Sequence, residues 1–114
     1  MKCGYEDYVP GECFLDAGEA IQKKIVSIVA DSRSYPISQE LSGVNLAIID
    51  GGHADEVILS DTINALKVLG KGGVIVWDDY SPCWPGVKRA LDELSAGAQL
   101  YLLRREGFVV FKST

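Results

Sequence analysis

The sequence contains no GxGxxG loop and no GKS or GKT motif, so neither a dinucleotide cradle nor a P-loop is legible in it. Positive charge is also scarce. The 11 lysines and arginines stand against 16 aspartates and glutamates, for a net charge of −5. That balance argues against non-specific binding to nucleic acid or to an anionic membrane surface, since both need a basic footprint. No apolar run is long enough to span a bilayer. The opening MKCGYEDYVP lacks the apolar core of a signal peptide, which makes a cytoplasmic location the expectation. Cys3, Cys13 and Cys83 form no CxxC pair and no zinc-like cluster. Their irregular spacing suits reduced thiols. With a single histidine available as a partner base, they are expected to be small buried hydrophobes rather than nucleophiles. Internal repeats and low-complexity stretches are absent.

What is present is an ordinary globular balance, with 47% apolar and 24% charged residues in 114. This suits one domain, 1–114, with a modest core. Residues 1–16 hold Gly4, Pro10 and Gly11 without a clear period and read as an N-terminal arm. AGEAIQKK (17–24) favours a short helix. IVSIVAD (25–31) is a β-branched run ending in an acid, the mark of a buried strand. SYPISQEL is a connector with one helical turn after Pro36. NLAIID (45–50) reads as a second strand and GGVIVWDD (72–79) as a third. Between them, ADEVILSDTINALKVLG (54–70) is an amphipathic helix with Ile58, Ile63, Leu66 and Leu69 at helical spacing, an acidic first turn and Gly70 at its end. GVKRALDELSA (86–96) is a second such helix, and QLYLLRREGFVVFKS reads as two strands joined by a tight turn at Glu106-Gly107. Short apolar strands alternating with helices predict an α/β fold with a mostly parallel, Rossmann-like sheet and a C-terminal antiparallel hairpin.

Ligands in such sheets bind beyond the carboxyl ends of the strands. All three predicted strands end in acids, at Asp31, Asp50 and the pair Asp78-Asp79, so the expectation is that these ends share one edge. Adjacent carboxylates need a cation, a helix N-terminus or full solvation. Asp50, Asp78 and Asp79 together supply the hard oxygen ligands that suit Mg²⁺ or Ca²⁺. His53, three residues past Asp50 in a glycine-containing loop, is a candidate general base, the alternative being an inert loop histidine. Tyr80 and Trp84 lie close to the acids in DDYSPCWPGV, where they either line a pocket or pack a proline-containing loop.

LAIIDGGHADEVILSDTINALKVLGKGGVIVWDDY, followed by PGVKRALDEL, resembles the second half of class I S-adenosylmethionine-dependent methyltransferases, in the group with an IDG-x-H motif after the fourth strand and a DDY motif after the fifth. Some sugar O-methyltransferases of antibiotic biosynthesis share this layout. IVSIVADSRS matches the third strand, and the hairpin matches the antiparallel sixth and seventh. The resemblance implies that Asp50, Asp78 and Asp79 bind a divalent cation holding the hydroxyls of a small-molecule substrate. It further implies that His53 removes the hydroxyl proton and that Asp31 approaches the adenine of S-adenosylmethionine.

The family's first strand with its GxGxG loop, and the second strand whose terminal acid binds the ribose, have no counterpart in this sequence. The expectation is thus a truncated methyltransferase-like domain with an open sheet edge, which invites a homodimer that exchanges the N-terminal arm or a strand. Two functions fit. One is a metal-assisted O-methyltransferase fragment completed by a dimer mate or partner. The other is a non-catalytic binding or assembly module that does not bind S-adenosylmethionine alone.

Overall fold

A computed structural model describes residues 12–114. The arm expected over 1–16 lies mostly outside the described residues. The chain divides into two compact units, Met1–Ala30 and Asp31–Thr114.

In the first unit, two single helical turns, α1 (Glu12–Leu15) and α2 (Glu19–Gln22), follow one another. The Gln22 side-chain amide closes the turn between them by donating to the carbonyls of Phe14, Leu15 and Ala17 at 3.2, 3.1 and 2.8 Å. The helix expected over 17–24 is thus shorter, and Glu12–Leu15 is helical where an irregular arm was expected. IVSIVAD forms no strand. Strand propensity measures the fit of a side chain to a pleated, half-buried surface, and this segment pairs with no strand among the described residues. Val26 and Val29 are 85% and 94% exposed.

In the second unit, Asp31 opens a turn rather than ending a strand, its carbonyl accepting from Ser34 and Tyr35 N–H at 3.1 and 3.0 Å. The turn expected after Pro36 is a 3₁₀ turn at Ile37–Gln39. Then come β1 (Val44–Ile49), α3 (Asp55–Val68), β2 (Leu69–Trp77), α4 (Pro85–Ser95), β3 (Tyr101–Leu103) and β4 (Phe108–Lys112). The sheet order is β1-β2-β4-β3, with β1 and β2 parallel and the other two pairs antiparallel. The α/β reading with a parallel pair and a C-terminal hairpin therefore holds, though the sheet is mixed. Gly107, at φ +68, supplies the left-handed residue that the hairpin turn needs. Strand β2 starts three residues before the predicted Gly72, because Leu69 pairs with Val44 across a bulge where Gly72 adopts φ +74.

Side chains alternate across a strand. Ile49, Ile75, Trp77 and Val109 point toward α3 and α4 and form the core with Ile58, Ala65, Val87, Ala90 and Leu91. The buried face of α3 is Ile58, Thr62, Ala65 and Val68. Ile63 and Leu66, expected inside, are exposed. Thr62 takes the core position because it completes a buried polar chain, in which Trp77 Nε1 donates to Thr62 Oγ1 at 2.9 Å and that hydroxyl donates to Ile58 O at 2.7 Å. The opposite sheet face shows Leu46 and Ile48, 55% and 67% exposed. Among the described residues β1 pairs on one side only. No helix of the described residues is long and apolar enough to cross a membrane.

Candidate functional site

The site grows from the register of the parallel pair. Ile49 lies opposite Trp77, so Asp50 and Asp78 emerge side by side where the strands end. Asp78 N–H donates to Ile49 O at 3.1 Å and extends the ladder one step past β2. The next residue reverses direction. Asp79 sits at φ +65, a region that L-residues other than Asn and Asp rarely visit, while its N–H donates to Asp78 Oδ1 at 2.7 Å. Two adjacent acids on an extended chain would face opposite ways. This left-handed step brings one oxygen each from Asp50, Asp78 and Asp79 within 4.8 Å of one another. Strain of this kind concentrates at functional sites.

His53 closes the group. Its Nε2 lies 2.9 Å from Asp79 Oδ2, and its ring stacks on Trp84 with centroids 3.7 Å apart and planes 17° from parallel. Both side chains are about one-third exposed. The loop carrying His53 is wedged against the start of α4, because a Cβ on Gly86 would stand 2.2 Å from His53 O. Trp84 itself is held between Pro82 and Pro85, with its N–H donating to Ser81 O at 3.1 Å.

Four of the five residues singled out from the sequence thus meet at one edge. Asp31 does not join the carboxylate group, and the expected third acid-ended strand is absent. Its carboxylate is held by Arg33, with Nη2 at 2.7 Å and Nε at 3.0 Å. That guanidinium lowers the Asp31 pKa to about 2. The aromatic loop splits: Trp84 joins His53, whereas Tyr80 donates to Asp92 at 2.6 Å and lines a shallow pocket with Leu91, Leu100 and Val109. That bond raises the Tyr80 pKa, and Lys88 and Tyr80 together lower that of Asp92. Cys13 and Cys83 are exposed rather than buried, and Cys3 lies outside the described residues. Sequence reasoning missed Asp61. Its Oδ2 lies 3.6 Å from where a Gly51 Cβ would stand, and its Oδ1 is buried with no hydrogen-bond partner among the described residues. An acid on the second turn of an amphipathic helix gives no local signal of such a position.

Residues 12–80, more than half of the chain, match a family model described as a methyltransferase domain. The chain belongs to the methyltransferase domain family. Among curated proteins, this methyltransferase domain is 34% identical over 74 residues to uncharacterized protein R132 of Acanthamoeba polyphaga mimivirus, covering 59% of the chain and 34% of that protein. It is 26% identical over 100 residues to the probable inactive shikimate kinase like 2, chloroplastic, of Arabidopsis thaliana, covering 78% of the chain and 25% of that protein. Among solved structures, the apo TDP-rhamnose 3′-O-methyltransferase CalS11 of calicheamicin biosynthesis superposes with a TM-score of 0.59 at 21% identity, over 75% of this chain and 40% of that one. The O-methyltransferase NovP gives a TM-score of 0.50 at 27% identity, over 61% of this chain and 29% of that one. The methyltransferase domain described here therefore spans about a third or less of its curated relatives. Its parallel pair, hairpin and strand-end acids occur in an α/β architecture shared with O-methyltransferases.

Proposed function

We propose that this methyltransferase domain carries the acceptor side of a metal-assisted O-methyl transfer site. The observation that supports it is the convergence of Asp50, Asp78 and Asp79 within 4.8 Å, with His53 bonded to the last of them. The donor set fits the group: three carboxylates at a partly exposed strand end are hard ligands of the kind Mg²⁺ and Ca²⁺ take. Held by these acids, a divalent cation would polarise a hydroxyl bound to it and lower its pKa. Nε2–H donates to the Asp79 carboxylate, so Nδ1 is the nitrogen left to accept the proton, and that carboxylate stabilises the resulting imidazolium. The same bond fixes the tautomer and the orientation of the ring. S-adenosylmethionine does not fit these residues alone, because no GxGxG loop is present and Asp31 is turned to Arg33. The methyl donor would be held by a segment other than these 114 residues.

The test is thermal melting with and without Mg²⁺ or Ca²⁺. The cation should raise the melting temperature, adding about 2.7 kcal/mol of stability at a hundredfold excess over Kd. Asp78→Asn combined with Asp79→Asn should abolish the rise, and an equal response from the double variant overturns the assignment. The absence of a glycine loop favours a second reading, a non-catalytic binding or assembly module. The melting experiment separates the two: a cation-dependent rise that the double variant abolishes supports the acceptor site, and no rise in the wild type supports the module. Calorimetry with S-adenosylmethionine and S-adenosylhomocysteine should give no heat up to millimolar ligand, and heat would overturn the placement of the methyl donor outside these residues.

We also propose that the edge of β1 that is unpaired among the described residues pairs with a second copy. The strand VNLAII carries neither the lysine nor the proline that commonly protects an edge. Sedimentation showing a clean monomer at high concentration would remove this homodimer. A second copy brings no GxGxG loop either, so dimerisation alone does not complete a donor site.

A further inference from the structure

We infer that Trp84 is a positioning residue that holds the His53 imidazole at the site independently of Asp79. Asp79 is claimed twice: its Oδ2 is bonded to His53 Nε2 at 2.9 Å, and it is one of three carboxylates gathered within 4.8 Å. A cation that draws the Asp79 carboxylate toward Asp50 and Asp78 weakens its hold on the histidine. His53 is carried on a loop that begins Gly51-Gly52, a backbone with little stiffness of its own. Without a second restraint, the ring would leave when the cation arrived. The stack on Trp84, at 3.7 Å and 17°, involves no carboxylate and survives that change.

The stack is built from two backbones fixed against each other. On one side, Pro82 and Pro85 flank the Cys83-Trp84 pair, Trp84 N–H donates to Ser81 O, and Trp84 O accepts from Lys88 N–H at 3.1 Å. On the other, Gly86 lets the first turn of α4 close onto His53 O. The indole is 41% exposed and lies outside the buried core, so its place on the imidazole is not a by-product of core packing. The cation part of this inference rests on the function proposed above, whereas the stack does not.

Because the chain has one histidine, its ring protons report the stack without ambiguity. Proton NMR at one fixed pH, with and without Mg²⁺, would compare the wild type with W84A, W84F, W84L and D79N. Asparagine tolerates the left-handed backbone at position 79, so D79N removes the charge and keeps the turn. The indole ring current should hold the His53 signals upfield in the wild type in both conditions. They should stay upfield in D79N, move downfield in W84A and W84L, and return most of the way in W84F. The Trp77 indole N–H, bonded to Thr62 in the core, marks a folded variant. W84L, which keeps bulk without a ring, answers the question if W84A loses that signal. Signals that move downfield in D79N with Trp84 intact, or that stay put when the ring at 84 is removed, overturn the inference. A wild type that shows no Mg²⁺-dependent rise in melting temperature fails the cation site instead, and leaves the NMR comparison of Trp84 with Asp79 intact.

Discussion

Gly86→Ala tests how the site is assembled. The added Cβ would stand 2.2 Å from His53 O, 3.0 Å from Asp55 N and 3.3 Å from Ala54 Cα. All three are backbone atoms, so no side chain can swing aside. Restoring an ordinary contact of roughly 3.5 Å requires α4 and the His53 loop to part by roughly 1.3 Å at this point. Overpacking of this kind costs about 1–3 kcal/mol, and contact with backbone places it near the upper end. Replacing glycine returns about 0.4–1 kcal/mol through the unfolded chain. The net loss is about 2 kcal/mol, which in a domain of this size lowers Tm by roughly 8–12 °C. Gly97→Ala is the control, since nothing lies within 4 Å of its Cβ position and its φ is not left-handed. It should match or slightly exceed wild-type stability, by at most about 1 kcal/mol. Circular dichroism melts of the two variants check both values. If Gly86→Ala melts within about 2 °C of wild type, the close approach that seats His53 does not exist, and the geometry of the site must be redrawn.

Thr62→Val leaves the Trp77 indole N–H buried without an acceptor and should cost about 1–3 kcal/mol by chemical denaturation, whereas Thr62→Ser keeps most of the stability. Asp31 should titrate at about 2 by carbon-detected NMR, and Arg33→Gln should return it toward 3.8. Because the folded-state pKa is depressed, any stability this pair adds is present above pH 3.8 and fades as pH falls toward 2. Raising ionic strength should weaken the exposed Asp31–Arg33 pair and shift that titration upward as well, since exposed pairs are screened by salt.

The helices over 55–68 and 85–95 were legible from their apolar residues at helical spacing and the hairpin from the glycine of its turn, although the first helix ends at Val68 and Gly70, expected to end it, lies in β2. Residues 25–31 carry the pattern of a strand with equal clarity and are not one. A strand is a relation between two segments, and hydrogen-bond ladders cannot be read from one of them. The same limit explains α3. Ile63 and Leu66 fit the helical stripe as well as Ile58 does, but the sheet meets the Ile58–Thr62–Ala65 face, where the Thr62 hydroxyl accepts the Trp77 indole N–H.

The sequence alone determined which residues are the candidates, because Asp50 and Asp78-Asp79 each follow an apolar run that ends where the polar loop begins. The choice among them belonged to the tertiary structure. The parallel register set Asp50 beside Asp78, and the left-handed turn at Asp79 aimed a third carboxylate at the same point and at His53. Trp84 lies 31 positions from His53 in the chain and reaches it only because α4 packs closely on the loop, a contact that no local pattern encodes.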